Sequence, residues 1–128
     1  MSAEAALVAA VQAALSGVAG LNCVEPGASV RTTPPFAELG PVESRDWGTK
    51  DRAGREIRLS VTVRDAAARA DRLHALAAAV VAAVDALPRG LDGWRIASLA
   101  FVRGRTASEK AGLWAAAIEW RVRMLADA

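Results

Sequence analysis

The most regular pattern in the chain is the alternation of apolar and polar side chains from Glu56 to Arg64. Ile57, Leu59, Val61 and Val63 fall on one side, and Arg58, Ser60, Thr62 and Arg64 on the other. A period of two predicts a strand with one face on a core and the other towards water or a partner. Gly112 to Met124 repeats the pattern: Trp114, Ala116, Ile118, Trp120, Val122 and Met124 alternate with Ala115, Ala117, Glu119, Arg121 and Arg123. Trp94 to Arg103 reads as another strand. Phe36 to Ser44 reads as a weaker one, because Gly40-Pro41 interrupts it and proline cannot donate to a ladder.

Two segments follow helical spacing instead. From Glu4 to Ser16, Leu7, Val8, Val11 and Leu15 form one stripe, with Ser2 placed to cap the start and Gly17 and Gly20 to stop the end. Asp65 is a predicted N-cap for a longer helix from Ala66 to Leu87, whose stripe is Leu73, Leu76, Val80, Val84 and Leu87 and which ends at Pro88 and Gly90. The remaining segments read as connections. Leu21 to Pro35 is a loop with a short extended piece at Cys23-Val24, Arg45 to Arg55 a polar hairpin loop, and Gly104 to Ala111 a polar, basic link. The order α-β-β-α-β-β predicts an α+β fold: an antiparallel four-stranded sheet with two helices packed on one face, in a single domain spanning residues 1–128.

Composition narrows the class. With 128 residues, 53% hydrophobic and 23% charged, the chain is long enough for one core without disulfides or metals. Much of the apolar fraction is alanine, so the core must lean on fewer large side chains. The net charge of +2 permits contact with nucleic acid without requiring it. A single cysteine, Cys23, allows no internal disulfide and suits a reducing cytoplasm. The longest apolar run, Ala75 to Val84, is far shorter than the ~20 residues that span a bilayer, so no membrane partner is expected.

Catalytic chemistry finds little support. His74 is the only histidine and sits inside the second predicted helix, where it reads as a surface or boundary residue. Cys23 has no basic neighbour to activate it and reads as an inert thiol. One Cys and one His do not make a metal site, and no phosphate-binding glycine loop is present, so no cofactor is expected. Asp46, Asp51 and Glu56 lie among arginines and read as ion-paired carboxylates. The distinctive feature is basic. Arg45, Lys50, Arg52, Arg55, Arg58 and Arg64 surround one hairpin, and Arg103, Arg105, Lys110, Arg121 and Arg123 the other. Such a surface is either a solvated sheet face or one that meets a neighbouring subunit or a lumen. Without tyrosines or interleaved aromatic residues it is not a base-stacking platform. Trp47, in a polar loop, is either an interface anchor or a side chain folded back on its own domain.

Four stretches carry a resemblance across nearly the whole chain. They are Ala6-Leu7-Val8-Ala9-Ala10-Val11, then the Pro26-Gly27 turn leading to Pro34-Pro35-Phe36-Ala37-Glu38-Leu39-Gly40, then Trp47-Gly48-Thr49-Lys50 with Gly54 to Val63, and finally Gly112-Leu113-Trp114. In order, spacing and length the chain resembles the tail completion, or tail terminator, proteins of long-tailed phages and of gene transfer agents. The resemblance implies a non-enzymatic structural protein, made in the bacterial cytoplasm and assembled into a phage tail or gene transfer particle. It implies a homo-oligomer, a hexameric ring capping the head-proximal end of the tail tube. The ring would stop tube polymerisation, meet the tail tube protein and a head-completion or connector protein, and let DNA pass without sequence-specific contact. On that reading Arg45, Asp46, Trp47, Lys50, Asp51, Arg52 and Arg55 are candidates for a subunit or tail-tube interface. Arg58, Arg64, Arg103, Arg105, Arg121 and Arg123 are candidates for a sheet face or lumen. The alternative from the residues alone is a small dimeric α+β regulatory or ligand-binding domain without catalytic activity.

Overall fold

The computed structural model describes residues 1–27 and 33–127. Helix α1 (Ala3–Ser16) is followed by β1 (Val24–Pro26), β2 (Phe36–Leu39), β3 (Glu43–Asp46) and β4 (Gly54–Ala66). Helix α2 (Asp71–Asp85) then leads to β5 (Gly90–Leu91), β6 (Trp94–Lys110) and β7 (Leu113–Ala126). The part of the predicted first loop at 28–32 lies outside the described residues.

The expected antiparallel four-stranded sheet is not what forms. The described strands make one seven-stranded mixed sheet ordered β1-β2-β4-β7-β6-β5, with β3 also paired to β4. All pairings are antiparallel except β1 with β2, which is parallel. Each difference has a local cause. The single strand expected from Phe36 to Ser44 breaks at Gly40-Pro41, and its halves β2 and β3 pair in succession along the same edge of β4. Strand β1 has only three residues and ends on a proline, too little for alternation to show. The link expected at Gly104 to Ala111 is strand almost to its end, and the turn is made at Gly112, whose φ is +76°.

The second helix is shorter than expected, and Asp65 does not cap it. Strand β4 continues to Ala66 because β7 extends alongside, pairing Ala66 with Leu113. Helix α2 starts after Ala70 with no side-chain cap. At its other end Arg89 donates to the carbonyls of Leu87 and Asp85, meeting groups that a helix terminus leaves without partners. Helix α1 begins where Ser2 predicts: Ser2 Oγ accepts the Ala5 N–H at 3.1 Å, and Gly17 follows its last turn.

The core lies between the helices and one face of the central strands. Leu7, Val11 and Leu15 of α1 and Leu73, Val80 and Val84 of α2 are fully buried with Ile57, Val61 and Val63 of β4 and Trp120, Val122 and Met124 of β7. The odd positions of β4 and the even positions of β7 face inward together because their register pairs Ile57 with Val122 and Val61 with Ile118. One ion pair fastens this layer. Asp65 is 1% exposed and accepts from Arg72 Nε at 2.8 Å and from the other arm of the guanidinium at 2.5 Å. The Arg72 hydrogen bond holds the Asp65 carboxyl below its ordinary pKa, against the opposing effect of burial.

Candidate functional site

The face of the sheet away from the helices is built by the polar half of the same alternation. In β4 and β7, Arg58 lies opposite Arg121, Glu56 opposite Arg123, and Arg64 opposite Ala115. Strand β6 adds Arg103 opposite Glu119 and Arg105 opposite Ala117. Arg58, Arg64, Arg103, Arg105, Arg121 and Arg123 thus lie on one face, across three adjacent strands.

Of the carboxylates that pair with them, sequence reasoning named Glu56 as ion-paired but not Glu38, Glu109 or Glu119. Arg64 meets Glu38 of β2 in a close ion pair and donates to Glu109 of β6 at 3.1 Å. Arg123 Nε donates to Glu56 at 2.9 Å, and Arg45 approaches the same carboxylate at 3.5 Å. Glu119 sits between Arg58 at 3.8 Å and Arg103 at 3.6 Å. Glu119 could have been found from the phase of its strand. Glu38 and Glu109 could not, because their positions depend on which strands pair. Electrostatics follow the geometry. The Arg123 hydrogen bond holds the Glu56 carboxyl below its usual range. Burial pulls the Arg64 guanidinium down, and Glu109 and Glu38 outweigh it, leaving its pKa raised.

The loop between β3 and β4 holds the second group of candidates. Arg45 and Asp46 belong to β3, Arg55 belongs to β4, and Lys50, Asp51 and Arg52 are exposed at the tip. The loop is internally bonded. Asp46 Oδ1 accepts the Gly48 N–H at 3.2 Å, and Thr49 Oγ1 accepts the N–H groups of Asp51 at 3.3 Å and Arg52 at 3.1 Å. At its base the Trp47 N–H donates to the Gly54 carbonyl at 3.1 Å. A side chain at Gly54 would meet the Trp47 carbonyl oxygen at 2.5 Å, so only glycine allows this approach. Trp47 is half-buried, and the Arg123 guanidinium lies 5.5 Å from its ring centroid, within cation–π range. The tryptophan therefore rests on the polar face of its own sheet. Arg55 is drawn the other way, to Glu4 of α1 at 3.7 Å and Asp46 at 3.6 Å.

The arginines of the outer half of the β6–β7 hairpin were named from sequence, but its open edge and exposed apolar side chains were not. Strand β5 pairs only with Trp94 and Arg95, so the outer edge of β6 from Ala97 to Lys110 has no strand partner among the described residues. Phe101 and Val102 on that strand are 52% and 40% exposed. His74 is exposed on α2, and Cys23 is a free, half-buried thiol. Among the described residues no cluster of His, Cys, Asp and Glu could hold a metal ion, and no helix is long and apolar enough to cross a membrane.

The profile of the family described as "Tail completion protein gp17" matches residues 9–125, from within α1 to near the end of β7. Among solved structures, a chain of the "Virion of native gene transfer agent (GTA) particle" is similar, with 27% sequence identity and a TM-score of 0.63. The match covers 97% of this chain and 95% of that one. No curated protein matches the chain.

Proposed function

Since the chain belongs to the gp17-like tail completion family of phage structural proteins, we propose that it acts as a single-domain, non-catalytic ring subunit at the head-proximal end of a tail tube. It is assembled there into a phage-like or gene transfer particle. In this reading several copies, six by the family resemblance, close a ring that ends tube polymerisation and presents a surface to a head-completion protein. The observation that carries it is the open edge of β6, together with near-complete coverage of a chain from an assembled virion. A strand of 17 residues whose outer edge, from Ala97 to Lys110, has no partner among the described residues presents a row of free backbone donors and acceptors that a neighbouring subunit can satisfy. A ring requires such a heterologous contact.

The polar sheet face fits a lumen crossed by DNA. Its six arginines are offset by Glu38, Glu56, Glu109 and Glu119, so its field is weakly positive. Phosphate binding strengthens with each cation that is free to neutralise a phosphate, and a face with most of its cations already paired lets DNA slide. Native mass spectrometry of the purified chain, with and without its tube protein, tests the reading. A closed ring, alone or on the tube, is expected. A stable monomer or dimer that ignores the tube overturns it.

A further inference from the structure

The two ends of the sheet differ in shape and in charge. At one end, among the described residues, the only large apolar side chains exposed outside the amino terminus are Phe101 and Val102. Arg103 and Arg105 follow them, and Arg105 makes no ion pair among the described residues. At the other end β2 and β3 separate along β4, and the gap opens into a largely apolar cleft of about 640 Å³. Val8, Leu39, Pro41 and Val42 line its apolar part, and Glu38 stands at its polar side. The register sets Glu25 of β1 directly beside Glu38, which puts both carboxylates on the polar face of the sheet, and Glu25 has no ion-pair partner among the described residues. One end thus carries an apolar knob followed by arginines, and the other an apolar recess followed by carboxylates.

We propose that Phe101–Arg105 of one copy docks on the opposite end of the sheet of a second copy, with Phe101 and Val102 in the cleft between β2 and β3 and Arg105 against Glu25. This rests on the ring reading and names the surfaces that would close it. Donor and acceptor surfaces lie on opposite ends of one sheet, so each copy has one of each to offer, as a heterologous contact demands. Charge complementarity fixes which end meets which. The arginines and the carboxylates both lie on the polar face, so the two sheets would join with their core faces on the same side.

Charge reversal in the full-length chain tests the docking, in the presence of the tube protein if the ring needs it. Arg105→Glu and Glu25→Arg should each weaken ring formation roughly tenfold or more, because each sets like charges together at every interface. An equimolar mixture of the two variants should recover rings of alternating subunits, since each reversed end then faces its reversed complement. Phe101→Ser should weaken assembly without lowering the melting temperature, which keeps the proposal open to refutation if Glu25→Arg misfolds. Rings that form normally from all three variants would overturn the docking and leave the ring reading standing. Loss in both single variants without recovery on mixing would also overturn it. A wild-type chain that never assembles would overturn both.

Discussion

The middle of the sheet and its outer hairpin are built from the same kind of strand and do opposite things. Strands β4 and β7 run side by side over Gly54–Ala66, and every inward position from Ile57 to Val63 is closed by the helices. In β6 beyond Ala100 the side chains are exposed on both faces, with only Ala107 half-covered, and the outer edge is unpaired among the described residues. The central strands are held by apolar burial, which is strong and indifferent to partners. Beyond Ala100 the outer strand is held by its ladder to β7 and keeps its other surfaces available. On the proposed docking, stability and assembly thereby fall in different parts of one sheet.

The largest expected effect breaks the central half. Trp120 is fully buried, so Trp120→Ala should cost about 3–5 kcal/mol and unfold much of the population, as measured by urea denaturation. A loss as small as that of an exposed side chain would mean that the core is not where the burial places it. The next effect is acid sensitivity of the same layer. Asp65 titrates below its ordinary value when folded, so its pairing with Arg72 is complete above the unfolded-state value near 3.8 and is lost as pH falls through the lower folded value. Stability should therefore fall on acidification from roughly pH 5 downward, and Asp65→Asn should flatten that limb while lowering stability at neutral pH. An unchanged acid limb would remove the ion pair from the account. The smallest effect on folding, and the sharpest on the comparison, is at Trp47. Trp47→Ala should lose about 0.5–1 kcal/mol of stacking on Arg123 and weaken ring or tail contact more than that. A lowered melting point with unchanged assembly would assign Trp47 to the fold alone.

The two halves were also unequally legible in the sequence. Strand β4 and the inward set of β7 could be read from their alternation because a single buried face imposes a period of two. Strand β6 could not be read to its end. Its pairing with β7 slips between Ile96 and Ser98, between Phe101 and Arg103, and between Ser108 and Lys110. Each slip reverses the phase, and with solvent on both faces no phase was selected in the first place. Asp65 misled for a different reason. An aspartate before an alanine run is a good local N-cap signal, and pairing of Ala66 with Leu113 overrode it. The polar-face arginines of β4 and β7 were found by phase alone. Their neutralisation by Glu38 and Glu109 depends on pairings between distant segments, which local pattern does not encode.

The irregularities of β6 have a consequence for the protein before it meets any particle. A long, flat, unprotected strand is a seed for fibrils, because identical edges can add to one another without limit. In β6 the extra residues Ala97, Val102 and Glu109 divide the strand into short straight pieces. The longest piece, Arg103 to Ser108, carries two like charges and a glycine. Segments that self-stack are typically six or seven residues of high β-propensity with low net charge and few glycines, and no regular piece of this edge matches that signature. The subunit can thus wait in a crowded cell with its edge open, resistant to amyloid-like growth.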